Sequence, residues 1–157
     1  MKKITEANFN PKSIKVLDGK VEVSFDGTVS LGNDINSKPY GTLGNTDEPH
    51  IDFKKAMDGL LPVVAYDEQT VDIKDYEIKG ISLKGSEAVK IHHMREVESG
   101  KTSRSSGWIY FDSEDFEKAE VAQKAVAKIK HEAYEYFINY KRMQLTMELK
   151  ESKEKAA

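Results

Sequence analysis

The sequence predicts a single α+β domain with a mostly antiparallel sheet of about six strands, one short helix and one long C-terminal helix. Apolar and polar residues alternate over several short segments in the first two thirds of the chain, a pattern typical of half-buried strands. Apolar residues recur three and four apart in one central segment and in the last third, which is typical of amphipathic helices. A chain of 157 residues, 38% of them hydrophobic, can bury one core but is short for two ordinary domains.

The predicted domain has three parts. Residues 1–12 are polar and are expected to form a loose lead-in. Residues 13–112 are expected to contain the sheet and the short helix, and residues 113–157 the long helix with a frayed tail.

Two Asp-Gly pairs separate the first predicted strands. Asp18-Gly19 and Asp26-Gly27 each lie between period-two apolar runs in the segment Ser13–Leu31. Asp-Gly in that position favours a type I′ turn, because both residues tolerate positive φ. We therefore expect a three-stranded antiparallel meander, followed by a long surface loop from Gly32 to Asp47.

The central segment predicts the short helix and the remaining strands. The helical spacing ends near Pro62, which lacks a backbone donor and is expected to end or kink the helix. A strand over Val71–Leu83 changes phase at Gly80, as at a β-bulge. Two further strands, Val89–Val97 and Gly107–Phe111, flank a polar decapeptide that we interpret as a hairpin tip.

The last third of the chain predicts one uninterrupted helix. Residues 113–157 contain neither glycine nor proline, and their apolar residues form a heptad-like seam. About 40 helical residues would span about 60 Å, against a diameter of about 40 Å for a compact chain of this length. The helix end should therefore overhang and either fray or pack on a second copy. The predicted interface with a protein partner or in a homodimer comprises Tyr136, Tyr140, Met143 and Met147.

Composition excludes several classes of protein. The chain has no cysteine, which excludes disulfides, thiolate metal sites and cysteine nucleophiles. Its net charge is −3 and neither half is basic, so it lacks the cationic footprint of a duplex-DNA-binding protein. No apolar run approaches the roughly 18 residues of a membrane helix, and no signal-peptide pattern follows Met1. We expect a soluble protein of the bacterial cytoplasm with no membrane partner.

The decapeptide ESGKTSRSSG, Glu98–Gly107, contains Gly100-Lys101-Thr102, which resembles the end of a phosphate-binding P-loop. Arg95 stands where that motif has its first glycine, and the segment leads into a strand, whereas a P-loop opens a helix. We interpret it as a mobile hairpin finger. Lys101, Thr102 and Arg104 are its candidate ligands for phosphate oxygens or for a carboxylate-bearing protein surface, although a flexible tip without a ligand is the simpler alternative.

Two aromatic residues follow the decapeptide on a predicted strand. Alternation places Trp108 with Tyr110 on one face, and Ile109 with Phe111 on the other. One pair is therefore expected in the core. If Trp108 and Tyr110 are the exposed pair, they form a possible stacking platform for single-stranded bases.

The histidines and the acidic residues near them are the remaining candidates for chemistry. His92 and His93 are neighbours on a strand and should point to opposite faces, so they cannot share one metal without distortion. The set Asp47, Glu48, His50 and Asp52 could bind a hard cation, but an acidic, capped helix start explains it more simply. No nucleophile elbow of the type GxSxG is present. We therefore predict neither metal nor cofactor.

Three stretches together resemble small phage and prophage proteins: an acidic-Pro-His-x-Asp helix start, a long strand pair that includes YEIKGISLKGSEAVKI, and a tyrosine-rich C-terminal helix. They lie at Glu48–Ala65, Tyr76–Ile91 and Glu114–Arg142 and cover well over half of the chain. The resemblance implies a phage-type accessory protein, and it brings no active-site residues to this sequence.

Three functional hypotheses follow. The first is a non-enzymatic phage-type binding protein that contacts a protein partner through the long helix and the finger. The alternative is a single-stranded nucleic-acid-binding protein that uses Lys101, Arg104, Trp108 and Tyr110. The third is a small metal-dependent enzyme centred on Asp47, Glu48 and His50.

Overall fold

The computed structural model describes residues 4–17, 20–29, 40–114 and 116–142. These residues form seven strands and three helices, after a single 3-10 turn at Glu6–Asn8. The strands are β1 (Ser13–Leu17), β2 (Lys20–Val29), β3 (Tyr40–Asn45), β4 (Tyr76–Lys84), β5 (Ala88–Val97), β6 (Gly100–Ser105) and β7 (Ile109–Tyr110). The helices are α1 (Ile51–Asp58), α2 (Leu61–Asp67) and α3 (Ala119–Ile138).

The strands form one antiparallel sheet in the order β3-β2-β1-β4-β5-β6, and β7 pairs with the start of β5. Alternate apolar residues of the strands point to one face, which we call the inner face, and α1 and α3 pack against it. The largest buried side chains come from both layers and include Ile14, Ile81, Ile91, Phe53, Ile129 and Tyr136. The predicted α+β class with a mostly antiparallel sheet is confirmed.

The predicted meander is correct at its first turn and wrong at its second. Leu17 pairs with Lys20, so β1 and β2 form a hairpin, whose turn residues 18 and 19 lie outside the described residues. The second pair, Asp26-Gly27, lies inside β2, where the register shifts between Ser24 and Val29. Gly27 has a φ of +110°, and this backbone conformation accommodates an irregularity within β2 and does not reverse the chain. The third strand is β3, inside the predicted surface loop.

The predicted loose lead-in is also wrong over its described part. Ile4 and Phe9 are buried in the core, and Phe9 contacts Phe25 and Tyr134 edge-on at centroid distances of 5.7 Å. Thr5 caps the intervening 3-10 turn through its side chain. Two apolar residues five positions apart are too few to show a pattern, so the sequence alone did not reveal this contact.

The helix before Pro62 is interrupted, as predicted, although the interruption lies slightly earlier than expected. Helix α1 ends at Asp58, and Pro62 lies in the first turn of α2, where its missing backbone donor costs nothing.

The strand predicted from Val71 begins only at Tyr76, and Val71 is fully exposed. The bulge at Gly80 is confirmed by a register shift between Ile78 and Gly80.

Helix α3 is shorter than predicted at both ends and has 20 residues. Before it, Phe116 packs edge-on against Tyr66 with centroids 4.9 Å apart, and the helix begins only at Ala119. After it, Tyr140 takes a φ of +54° and Arg142 forms an isolated β-bridge with Pro49. The chain therefore turns back onto the domain, and the predicted overhang is wrong up to residue 142. Residues 143–157 lie outside the described residues.

Within the described ranges, no helix is both long enough and apolar enough to cross a membrane.

Candidate binding surface on the outer face of the sheet

The face of the sheet opposite the helices is polar, and we call it the outer face. Strand β5 shows how the sequence divides between the two faces. Val89, Ile91 and His93 are buried on the inner face, whereas the alternate residues Lys90, His92 and Met94 are only partly buried. Since β5 has neighbours on both sides, the outer-face side chains of β4 and β6 lie next to this row.

His92 lies at the centre of the outer face between two serine side chains. Its Nε2 lies 2.7 Å from the hydroxyl of Ser82 on β4, and its Nδ1 lies 2.7 Å from the hydroxyl of Ser105 on β6. Ser105 is directly opposite His92 in the β5-β6 register, and Ser82, which pairs with Lys90, is diagonal to His92 on β4. Partial burial lowers the pKa of His92, and the positive charges of Lys15 and Lys90 lower it further. The imidazole is therefore mostly neutral at pH 7.

A cleft of about 420 Å³ opens beside His92. Its lining includes Lys15, Lys79, His92, Met94, Ser103 and Ser105. The neighbouring strands β1 and β4 approach closely here, since a Cβ at Gly80 would lie only 2.7 Å from the backbone oxygen of Ile14. Glycine is therefore required at position 80, where it lets the Lys15 backbone approach the bulge.

An aromatic pair lies at the other end of the same face. Trp108 and Tyr110 are 39% and 40% exposed, whereas Ile109 between them is buried. The prediction that alternation separates these side chains is confirmed. The ammonium group of Lys90 lies 4.8 Å from the Trp108 ring centroid, and that of Lys84 lies 3.2 Å from the Tyr110 hydroxyl.

The lysines of the outer face differ in whether a carboxylate neutralises them. Lys20 and Lys79 form ion pairs with neighbouring glutamates on their own strands. Lys15, Lys84 and Lys90 have no ion-pair partner among the residues that the structure describes. These three, with Trp108 and Tyr110, form a strip that we call the cationic-aromatic strip. It runs across β1, β4, β5 and β7, and His92 lies within it.

The predicted hairpin finger is instead a regular strand. Lys101, Thr102 and Arg104 belong to β6 and pair with Glu96, Arg95 and His93 of β5. Only Glu98 and Ser99 form the turn, because Val97 already pairs with Gly100, whose φ of +136° a non-glycine residue rarely adopts. Lys101 shares the outer face with His92, but Thr102 and Arg104 lie on the opposite face.

Arg104 contacts a buried polar pair on the inner face. Its guanidinium donates to Glu68 Oε2 at 2.8 Å, and Glu68 Oε1 lies 3.6 Å from Nε2 of His93. His93 is 2% exposed, and neither of its ring nitrogens has a hydrogen-bond partner among the described residues. Burial lowers the pKa of His93 and keeps it neutral. The prediction that His92 and His93 point to opposite faces is confirmed.

The four predicted interface residues of the C-terminal segment do not form one surface in the described part of the chain. Tyr136 is fully buried, and its hydroxyl donates to the backbone oxygen of Asp47. Burial raises its pKa to about 12. Tyr140 is 58% exposed with the Arg142 guanidinium 4.9 Å from its ring centroid. Met143 and Met147 lie outside the described residues.

The acidic residues before α1 have separate cationic partners. Asp47 pairs with Arg142 at 2.7 Å, Glu48 with Lys54 at 2.8 Å, and Asp52 with Lys141 at 2.9 Å. His50 is the N-cap of α1 and accepts from the Asp52 amide. The helix-start interpretation is confirmed for His50 and Asp52, whereas Asp47 and Glu48 precede the cap. No cluster of three or more potential metal ligands exists within the described ranges.

Sequence reasoning missed the Ser82-His92-Ser105 group and the unpaired lysines. The alternation of β5 placed His92 away from the core, but its partners come from two other strands. Their identity depends on the register, which the bulge at Gly80 shifts by one residue. No spacing within one segment could have indicated them.

Fold and surface together define an α+β protein in which helices cover one face of an antiparallel sheet and the other face presents lysine, serine, histidine and aromatic side chains. No family model, curated protein or solved structure matches the chain.

Proposed function

We propose that the protein is a non-enzymatic binding module for single-stranded nucleic acid, and that the cationic-aromatic strip is its binding surface. The observation that carries the proposal is the alternation of exposed aromatic rings with lysines that lack carboxylate partners. Trp108 lies against Lys90, and Tyr110 lies against Lys84. Proteins that bind single strands without sequence preference combine the same two elements, a cationic path for the backbone and rings on which bases stack.

The dimensions of the strip suit an extended strand. The outer-face positions of β5 from Ala88, opposite Tyr110, to Met94 span six residues, which corresponds to about 20 Å at about 3.3 Å per residue. Trp108 and Tyr110 would stack bases at one end, while Lys15 and Lys90 would contact phosphates along the row. His92 and its two serines lie beside these lysines and add hydroxyl groups that can donate to phosphate oxygens.

The net charge of −3 argues against a duplex as the ligand. Duplex binding depends on neutralising many phosphates, and the strip offers only three lysines without ion pairs among the described residues. Exposed bases, which a single strand provides, are therefore the better match for the aromatic end.

The protein-partner and enzyme hypotheses stay predictions, as does action as a phage accessory protein in a bacterial cytoplasm. The two surfaces predicted to contact a protein partner differ from the prediction. The finger is strand β6, and Tyr136 of the long helix is in the core. For a metal-dependent enzyme, the three carboxylates proposed as ligands are each held by a lysine or an arginine.

Fluorescence of Trp108 tests the proposal directly, because it is the only tryptophan in the chain. Titration with oligothymidine of about ten nucleotides at low salt is expected to quench this fluorescence, since the base would stack on the indole. The logarithm of the affinity should fall with the logarithm of the salt concentration with a slope of about 2, the value for three phosphate contacts on a single strand. A duplex of the same length should bind more weakly.

Two variants and one control locate the surface. Trp108→Ala should weaken binding of a labelled oligothymidine by about 1–3 kcal/mol, the usual contribution of one stacked base. Lys90→Ala should lower the salt slope by about 0.7. The control is Lys124→Ala, which removes an exposed lysine from α3 on the helical side of the sheet. The proposal would be refuted if oligothymidine left the Trp108 fluorescence unchanged and if Lys90→Ala and Lys124→Ala affected oligothymidine binding equally.

A further inference from the structure

Both ring nitrogens of His92 are occupied by serine hydroxyls, and this determines how many donors the outer face offers. The neutral imidazole has one N–H, which donates to one serine oxygen, while its other nitrogen accepts the proton of the second serine. In that state only one of the two hydroxyls keeps its own hydrogen free to donate elsewhere.

Protonation of His92 changes this count. An imidazolium donates from both nitrogens, so Ser82 and Ser105 both become acceptors toward His92. Both hydroxyl hydrogens are then free to point outward, and the ring gains a positive charge. One proton therefore gives the site a second free hydroxyl donor and one more cationic group.

The charged groups around His92 oppose this protonation while the site is empty. Lys15 approaches from β1, Lys79 from β4, and Lys90 from β5 itself, with neutral His93 as the next residue. Arg104 of β6 points to the opposite face, where its guanidinium pairs with Glu68. Glu77, which faces Met94 across the β4-β5 ladder, is held by Lys79 at 3.0 Å. No carboxylate contributes to the shift of the His92 pKa, which is lowered by burial and then by Lys15 and Lys90.

An anion beside His92 would reverse that balance. A phosphate group beside His92 brings negative charge close to Lys15 and Lys90, and it can accept hydrogen bonds from both serine hydroxyls. The bound phosphate stabilises the imidazolium, and the imidazolium stabilises the bound phosphate through the same interaction. The two binding events, of a proton and of a phosphate, are therefore reciprocally coupled.

We infer that Ser82, His92 and Ser105 form a phosphate subsite that takes up a proton when it is occupied. The inference rests on the proposed function and specifies where on the strip the backbone phosphate binds. It also gives the site a dependence on pH: affinity for the strand rises as pH falls and His92 gains its proton.

The probe for this inference is the same labelled oligothymidine, titrated at about pH 8 and at about pH 5.5 at constant ionic strength, a range that spans histidine protonation. Wild-type affinity should increase toward the lower pH by at most about tenfold per pH unit, the limit for one proton taken up per molecule. His92→Gln, which can still hydrogen-bond both serines, should bind with little dependence on pH. Calorimetric titration in two buffers of different ionisation enthalpy should detect proton uptake by the wild type and none by this variant.

Two further variants separate the subsite from general effects of acid. His131→Gln removes an exposed histidine that contacts Glu6 on the helical side, and it should keep the wild-type pH dependence. The double variant Ser82→Ala with Ser105→Ala retains the imidazole but lacks the hydroxyl donors, so it should bind more weakly at the lower pH. It also serves as the second test should His92→Gln fail to fold.

The possible outcomes separate the inference from the proposed function. Binding that is independent of pH in the wild type, or equally dependent on pH in His92→Gln, would overturn the inference and leave the proposed function intact. No binding of oligothymidine at either pH would overturn both.

Discussion

His92 and His93 are consecutive residues of β5, yet their surroundings are opposite. His92 has a serine hydroxyl 2.7 Å from each ring nitrogen and faces an open cleft, whereas His93 is 2% exposed and has no hydrogen-bond partner among the described residues. Both have a lowered pKa, with burial as the largest cause in each case. The similar shifts therefore arise in different settings, one on the polar outer face of the sheet and one in the core.

The comparison extends to the two faces of the sheet. The inner face is specified by packing, because its side chains are apolar and α1 and α3 cover them. The outer face has polar side chains whose contacts are cross-strand hydrogen bonds, ion pairs and cation–ring contacts. Since the same strands form both faces, substitutions on the two sides should affect stability and binding differently, and the following predictions test that separation.

The largest difference is expected between Phe53→Ala and Trp108→Ala. Phe53 is 1% exposed and contacts the ring of Tyr136 edge-on at 6.1 Å, so its truncation leaves a cavity between α1 and α3. We expect a loss of about 3–5 kcal/mol in the free energy of unfolding. Trp108→Ala should cost less than about 1 kcal/mol because the ring lies on the surface. Urea denaturation of both variants measures this, and equal losses would show that the outer-face aromatic is also structural.

Gly80 tests the bulge that places Ser82 beside His92. A Cβ there would lie 2.7 Å from the Ile14 oxygen and 3.0 Å from the Lys15 Cα, both backbone atoms of β1. Gly80→Ala should therefore destabilise the protein by about 1–3 kcal/mol. The matched control is Gly107→Ala, where a Cβ meets no heavy atom within 4 Å. A Gly80→Ala variant as stable as the wild type would mean that β1 can move away from β4, contrary to the prediction.

The elements that the sequence predicted correctly are those that depend on local periodicity. Alternation separated Trp108 from Ile109 and His92 from His93, and the phase change at Gly80 indicated the bulge. Each of these signals lies within one strand, where successive side chains must point to opposite faces.

The failures arose where a local signal had more than one structural solution. Asp26-Gly27 suits a turn, but a glycine at positive φ equally suits a strand irregularity, and pairing with β3 selected the second. Among the described side chains of β3 only Leu43 is buried, so no apolar period marked this strand. For α3, no glycine or proline signals the end, because Tyr140 adopts the positive φ that glycine usually provides.

The candidate site was the least predictable part. Trp108 and Tyr110 were identified as a possible stacking pair, but His92 with Ser82 and Ser105 draws on three strands. Its geometry exists only once the β4-β5 and β5-β6 registers are set. The contact of Lys90 with Trp108 likewise depends on the pairing of β5 with β7.

The buried member of the histidine pair predicts a pH dependence of stability. The folded-state pKa of His93 lies below the usual value of 6.5, so the unfolded chain binds the proton more readily. The stabilising effect of the neutral imidazole is therefore complete above pH 6.5 and is lost progressively as pH falls below it. For one proton the slope is at most about 1.4 kcal/mol per pH unit.

His93→Leu should remove that loss, because leucine has no proton to gain. Asp67, Glu68 and Arg104 face the same pocket, and the pKa of Asp67 is raised by burial, so the informative quantity is the difference between wild type and variant at each pH. Urea denaturation at about pH 7.5 and about pH 5.5 measures it over the range in which histidine titrates. A constant difference would show that protonated His93 is stabilised by Glu68 in the folded state, contrary to the prediction.

The smallest effect, with the opposite sign, is expected at His131 on α3. A hydrogen bond to Glu6 raises the pKa of His131, so its contribution is complete below the unfolded value of 6.5 and disappears as pH rises through the folded-state pKa. Both side chains are about half exposed, at 49% and 57%, so solvent screening should hold the contribution below about 1 kcal/mol. His131→Gln should therefore match the wild type at about pH 9 and be slightly less stable at about pH 5.5, beyond either side of the titration. Measured in urea beside His93→Leu, it should show that the same protonation lowers stability at a buried imidazole and raises it at an exposed one with a carboxylate partner.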